Sequence, residues 1–313
     1  MHFRFARLIA LPLAALLPAL VSAAGSPRDS LVVSTAWLAQ HLKDRDLVLL
    51  HVGDKAEYDA AHIEGARFLT TRDLAAPMAA PGSGLTLEMP PPDVLRERIA
   101  ALGISDHSRI VVYFGKDWVS PATRIIFTLD YAGLGERVSL LDGGQPAWVR
   151  DGRPVTTVVP EVRPGVLSAL KVQPTIVNAD FVRERATSKG HALIDARDAN
   201  FYEGVHPGGP RDAPRSGHIK GALSIPFTET TKDDLQLRPE AELDALFAKA
   251  GVKPGDTIVA YCHIGQQATA IVFAARTLGY KALLYDGSFE EWARHDYPVD
   301  NPAATKTPGK EPR

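Results

Sequence analysis

The chain of 313 residues contains a single cysteine, Cys262. A lone thiol cannot close an internal disulfide, so no crosslink supports the fold. Nor does it suit zinc, which takes four ligands at structural sites and three at catalytic ones; Cys262-His263 has no second ligand pair nearby in sequence. An excess of charge of one sign is also missing: 35 Lys plus Arg stand against 37 Asp plus Glu, a formal net charge of −2. That balance argues against a general nucleic-acid or anionic-membrane binder and leaves a local anion pocket open. Beyond the amino terminus there is no second long apolar run. The 45% hydrophobic content is still enough for real cores, and the length suits about two domains.

The first 24 residues read as a secretory signal peptide. Arg4 and Arg7 form a positive start, Leu8 to Leu20 is apolar, and Val21-Ser22-Ala23 or Ser22-Ala23-Ala24 fits a small-residue cleavage site. The apolar stretch is short for a membrane span; an uncleaved anchor is the alternative. No cysteine near the cleavage site means no lipidated amino terminus, and no Arg-Arg pair favours the general secretory route over the twin-arginine one. The expected destination is the periplasm, with no stable membrane insertion after cleavage. A lone thiol in such an oxidising compartment is either buried or kept as a working group.

Cys262 sits where a nucleophile would be placed. Thr257-Ile-Val-Ala-Tyr261 reads as a buried strand, the Ala-rich run after Ala268 as a helix, and residues 262–267 as a short loop with Gly265 in its middle. A thiolate there faces loop N–H groups and the positive end of the helix dipole, which lowers a thiol pKa. The bland alternative is a buried, inert cysteine.

The chain repeats itself once. Leu47-Val-Leu-Leu-His-Val-Gly-Asp54 and Ala61-His62-Ile63-Glu64-Gly65-Ala66 are answered by Ala192-Leu-Ile-Asp195-Ala-Arg197 and Gly217-His218-Ile219-Lys220-Gly221-Ala222. Arg109-Ile-Val-Val-Tyr113, Leu140-Leu-Asp142-Gly143-Gly144 and Trp148 are answered by Thr257 to Tyr261, Leu283-Leu-Tyr-Asp286-Gly287-Ser288 and Trp292. Short apolar strands alternate with helical segments, among them Ala241 to Ala250 and the stretch opened by Pro91-Pro92-Asp93. The expected fold class is therefore α/β: two tandem domains, each a mostly parallel sheet flanked by helices. Ligands of such sheets bind beyond the carboxyl ends of the strands, where Cys262 lies. The organisation read from the sequence is a signal peptide over 1–24, an amino-terminal domain over 30–154, a linker over 155–174, a catalytic domain over 175–302 and a disordered tail over 303–313.

The copies differ at the loop. Tyr261-Cys262 matches Tyr113-Phe114, and the loop Phe114 to Ala122 is two residues longer than Cys262 to Ala268. The first copy thus lacks the thiol, and one active domain beside one scaffold domain is the simplest account.

These landmarks together resemble the tandem-domain rhodanese family of sulfurtransferases, thiosulfate and 3-mercaptopyruvate sulfurtransferases, over about Val32 to Pro302. The resemblance implies two rhodanese-like domains and a persulfide mechanism. The Cys262 thiolate takes a sulfane sulfur from a small-molecule donor and passes it to a thiophilic acceptor such as cyanide, sulfite or a thiol, with no metal or organic cofactor. It implies that the loop His263, Ile264, Gly265, Gln266, Gln267 and Ala268 binds the substrate anion through its N–H groups. Phosphatases of related fold place an arginine six residues after the cysteine; here Ala268 stands there, which excludes phosphate-ester hydrolysis.

The departures from the family pattern bear on the donor. Thiosulfate-preferring members carry cations at the first two loop positions and mercaptopyruvate-preferring members usually Gly-Ser; here these are His263 and Ile264. Asn200 replaces one family arginine, and Arg211 matches another, with Arg215 close behind; either faces the pocket or lies on a solvated loop. Asp195, Arg197 and Asp286 are expected as supports that brace loops or pair with one another. His62 and His218 are expected to brace matching turns. His263 is either a titratable neighbour of the thiolate or simply exposed. Thiosulfate sulfurtransferase is the leading reading; a 3-mercaptopyruvate sulfurtransferase, a sulfane-sulfur carrier with little turnover, and a purely structural module are the alternatives.

Overall fold

The computed structural model describes residues 25–77, 84–116 and 118–306; the expected signal segment lies outside the described residues. The first half contributes strands β1 (Val32–Val33), β2 (Leu47–Val52), β3 (Arg67–Leu69), β4 (Arg109–Phe114) and β5 (Val138–Leu141). The second contributes β6 (Ile176–Val177), β7 (His191–Asp195), β8 (Leu223–Ser224), β9 (Thr257–Tyr261) and β10 (Ala282–Tyr285). The first sheet has the order β1-β5-β4-β2-β3 and the second β6-β10-β9-β7-β8, the same topology repeated. Every pairing in both is parallel. The central strands show why. Ile110 to Phe114 of β4 and Ile258 to Tyr261 of β9 are all buried, so both faces of each sheet are covered, as parallel sheets require.

The register makes the repeat atomic. His51 lies beside Tyr113 in one sheet and Asp195 beside Tyr261 in the other. Tyr113 Oη accepts from the Ile63 N–H at 3.1 Å, and Tyr261 Oη from the Ile219 N–H at 3.0 Å. His62 and His218 do brace matching turns. Each stacks on a tyrosine (Tyr58 and Tyr202) with ring centroids 3.9 and 3.7 Å apart, and each places Nδ1 2.7 Å from that tyrosine's carbonyl. Trp148 and Trp292 donate from Nε1 to the Pro154 and Pro298 carbonyls.

Helices α1 (Ser120–Leu129) and α2 (Ala268–Thr277) follow β4 and β9 and form the seam between the halves. Only Pro121 of α1 and Arg276 of α2 are not buried. Both helices are thus buried on nearly every side, and each packs on its own sheet and on the other helix. Equivalent residues meet across the seam: the Thr123 and Thr269 hydroxyls are 2.9 Å apart, and Asp130 pairs with Arg276 at 2.6 Å. One hydrophobic core runs through the seam, joining Val112 and Ile125 to Ile271 and Ala260; two smaller cores close the outer sheet faces.

Residues 157–174 contain no helix or strand and run along the first half, where Gly165 N–H bonds the Ala100 carbonyl and Gln173 N–H that of Tyr131. The stretch from 303, read from sequence as disordered, starts inside a short helix, Pro302–Lys306, tied down by the Ala303 N–H on the Glu203 carbonyl. Residues 307–313 lie outside the described ones.

Candidate active site

β9 ends at Tyr261 and α2 begins at Ala268, so Cys262 opens the loop at the carboxyl edge of a central strand. Three contacts fix its backbone. The Cys262 N–H donates to Ser288 Oγ at 3.2 Å, and the Cys262 and His263 carbonyls accept from Phe289 and Glu290 N–H at 3.0 Å each. Ser288 holds its place in a left-handed conformation, φ 50°, where the first repeat has Gly144 at 55°. A non-glycine residue there costs about 1–2 kcal/mol, offset here because Ser288 Oγ also donates to the Tyr285 carbonyl.

Among the described residues, the N–H groups of residues 263–267 have no acceptor. Unpaired N–H groups in a tight loop ahead of a ten-residue helix form a cradle for an anion. Gly265 makes the turn possible at φ 77°; a Cβ there would come within 2.8 Å of the Asp286 carbonyl oxygen. Gln267 buries an unpartnered Oε1, Gln266 accepts from Thr71 Oγ1 of the first half at 3.3 Å, and Ile264 and His263 are half-buried. Cys262 itself has no exposed surface and belongs to the core, as does Ala268. A donor therefore reaches the sulfur only when the loop or its cover gives way.

The loop carries little positive charge. Burial first, and then the Arg197 charge, hold His263 down to about 4, against a smaller pull from Asp195. Its imidazole is neutral at pH 7 and meets Phe201 edge-on at 4.5 Å between centroids, so the ring is neither simply exposed nor a charge beside the thiolate at neutral pH. Arg197 is fully buried and forked onto Asp195, with Nη2–Oδ2 at 2.6 Å and Nε–Oδ1 at 3.0 Å. Burial works to lower its pKa, but the Asp195 carboxylate, with Tyr261 and Cys262 behind it, raises it instead. Tyr261 Oη donates to Asp195 Oδ2 at 2.7 Å, so acid, base and phenol form one buried network under Cys262.

Among the described residues, neither of the two other candidate arginines makes a hydrogen bond or ion pair with the loop. Arg211 is exposed in the turn between Pro207–Gly208 and Arg215–Ser216. Arg215 pairs with Asp296 at 3.0 Å. The arginine that does reach the loop is Arg124, which the sequence did not single out. From α1 of the first half its Nη1 donates to Asp286 Oδ1 at 2.6 Å and to the Gly265 carbonyl at 3.0 Å, and Nη2 donates to the Leu87 carbonyl. Asp286 and the Gly265 carbonyl thus share one partner, supplied by the other domain.

Comparison with known proteins agrees with this architecture. The Rhodanese-like domain family matches residues 34–151 and again 178–295. A sulfur carrier protein of Thermus thermophilus is 32% identical over 283 residues, covering 86% of this chain and 95% of its own length. A thiosulfate sulfurtransferase of Rattus norvegicus is 30% identical over 288 residues, covering 85% and 93%. The solved structure of a 3-mercaptopyruvate sulfotransferase from Escherichia coli is similar with a TM-score of 0.72 at 28% identity, covering 83% of this chain and 98% of that one. The chain belongs to the rhodanese family, with two Rhodanese-like domains in tandem and its cysteine in the second.

Proposed function

We propose that this rhodanese is a sulfurtransferase that carries a sulfane sulfur on Cys262. The observation that carries the reading is the Cys262 loop: a thiol at the end of β9, five following N–H groups without acceptors among the described residues, and the start of α2. With thiosulfate, the Cys262 thiolate attacks the outer sulfur, the S–S bond breaks with its electron pair on sulfite, and Cys262–S–S⁻ remains. Cyanide or a thiolate then attacks the terminal sulfur and the Cys262 thiolate leaves. The persulfide anion forms where the loop N–H groups and the helix dipole stabilise negative charge. With 3-mercaptopyruvate the same bond forms while the carbon–sulfur bond breaks, and the thiol proton ends on the carbon of pyruvate.

Steady-state transfer from each donor to cyanide, in the parent protein and in Cys262→Ser, tests the assignment. Loss of all transfer in the variant supports it; retained turnover refutes it. The better donor fixes the substrate class. The complete burial of Cys262 favours a second reading, a sulfur carrier that shelters a persulfide and turns over slowly, in keeping with the name of one relative. Persulfide that accumulates without rapid release to cyanide distinguishes that carrier.

Export to the periplasm is part of the proposal and rests on Arg4, Arg7, the apolar run Leu8 to Leu20 and the small residues up to Ala24. Among the described residues no helix is long and apolar enough to cross a membrane. Amino-terminal sequencing of the fractionated protein checks it: the mature chain is expected to start at Ala24 or Gly25, and an unprocessed chain in the cytoplasmic fraction contradicts export.

A further inference from the structure

Each domain bonds the other through the segment that precedes one of its helices, and the two segments differ in length. Between the single-turn helix Phe227–Thr230 and the helix Glu240–Ala250 the second domain has nine residues, 231–239. From them the Leu237 N–H donates to Asp142 Oδ1 of the first domain at 2.8 Å. Between the matching helices Thr71–Leu74 and Pro92–Ala101 the first domain has seventeen, 75–91. Leu87 and Leu235 mark the correspondence: each precedes its helix by five residues, with φ 61° and 64°. The longer segment is the one on the side of the thiol.

Its residues bond the side chains that support the Cys262 loop. Thr86 holds both carboxylate oxygens of Glu290, with its N–H on Oε2 at 2.8 Å and its hydroxyl on Oε1 at 3.1 Å. The backbone N–H of the same Glu290 donates to the His263 carbonyl at 3.0 Å. The Leu87 carbonyl accepts from Arg124 Nη2, while Arg124 Nη1 donates to the Gly265 carbonyl. Thr86 and Leu87 are therefore fastened, each through one residue, to two carbonyls of the loop that follows Cys262. Since Cys262 has no exposed surface, its sulfur is reached only when this loop shifts, and a shift pulls on both fastenings.

The fastening is built to part. Residues 84–88 contain no helix or strand, and among them only Leu87 is buried. Its left-handed conformation is one that a leucine disfavours, so the surrounding bonds and packing hold it there and it relaxes once they let go. The Thr86–Glu290 bonds are only part-buried, where water can replace them. Arg294 Nη2, 3.6 Å from Glu290 Oε1, stays behind as a partner for the carboxylate. Few buried contacts and hydrogen bonds within reach of water mark a segment that opens well before the molecule unfolds.

We propose that residues 84–88 of the domain without a thiol are a strap that keeps the Cys262 loop closed, and that release of Glu290 by Thr86 opens the loop to small molecules. The strap rests on the reading of Cys262 as the working thiol. Closed, it shelters the sulfur; released, it admits donor or acceptor.

Alkylation of Cys262 by iodoacetamide, with no sulfur donor present, tests the strap apart from sulfur transfer. Thr86→Val removes the hydroxyl tie and keeps the N–H tie; it is expected to raise the rate about threefold. Glu290→Ala removes both and is expected to raise it about tenfold or more. The two together are expected to be no faster than Glu290→Ala alone, because they break one contact. Asp142→Ala frees the matching Leu237 N–H on the side without a thiol and is expected to leave alkylation as in the parent protein. Low urea is expected to change the parent rate little, since local opening exposes little surface. Unchanged rates in Thr86→Val and Glu290→Ala overturn the proposal, and so does a parent rate that climbs with urea as steeply as global unfolding. Strap-dependent alkylation in a protein that forms no persulfide upholds the strap and removes the sulfurtransferase reading; sulfur transfer with strap-independent alkylation does the reverse.

Discussion

Arg124 of the first domain and Asp286 of the second form an ion pair of 2.6 Å across the domain seam, with their side chains only 3% and 11% exposed. The same guanidinium holds the Gly265 carbonyl, so the loop after Cys262 is braced by a residue of the domain that has no thiol. Arg124→Met leaves the Asp286 carboxylate and the Gly265 and Leu87 carbonyls without this donor. Breaking a buried pair from one side costs about 3–5 kcal/mol. The urea midpoint is expected to fall accordingly, and alkylation of Cys262 by iodoacetamide to quicken as the loop loosens. An unchanged midpoint and alkylation rate contradict the brace.

Gly265→Ala tests the loop from inside. At φ 77° an alanine costs about 1–2 kcal/mol, and its Cβ would also press on the Asp286 carbonyl at 2.8 Å and on Arg124 Nη1 at 3.0 Å. Thermal unfolding is expected several degrees lower, with sulfur transfer reduced more than stability alone explains. Gly255→Ala, at φ 84° but with open space around its Cβ, is the control for backbone strain alone and leaves transfer unchanged.

Under Cys262, Tyr261→Phe removes the donor to Asp195 and the acceptor of the Ile219 N–H in one step. In the first domain Tyr113→Phe removes the acceptor of the Ile63 N–H, with His51 in place of the carboxylate. A bond to a charged acceptor is worth more than a neutral one, so the first variant is expected to lose about 1–3 kcal/mol and the second less. Equal losses in paired denaturation curves speak against the Asp195 network as a stabilising device.

The buried histidines set an acid limit on stability. His51 and His263 each titrate at about 4 in the folded chain, against an ordinary 6.5, chiefly because burial disfavours the charged ring. Between these values the unfolded chain binds protons that the folded chain does not, so stability rises with pH through this window. The contribution is complete above about pH 6.5 and is lost as pH falls toward 4. Melting temperatures measured from pH 7 to 4.5 are expected to decline, and less steeply in His51→Phe than in the parent protein. Parallel curves contradict a buried neutral His51.

The fold was legible because the chain states it twice. Apolar β-branched runs with turn residues at matching distances fix strands and order, and the paired histidines His62 and His218 could be read as braces because a copy without the thiol keeps one. The Cys262 loop was legible from Gly265 and the flanking strand and helix. Arg124 was not: within Ser120–Leu129 it looks like any helical cation, and its partners in the second domain lie 141 and 162 residues away. The direction of Arg215 was not legible because a loop rich in glycine and proline has no periodicity from which it can be taken, and only the pairing with Asp296 reveals it.

The most direct test of the account is the intact mass of the purified mature protein after incubation with thiosulfate or with 3-mercaptopyruvate, followed by cyanide. The account predicts a gain of one sulfur atom, confined to Cys262, absent in Cys262→Ser and removed by cyanide. No gain with either donor, while Cys262 still reacts with iodoacetamide, would contradict it.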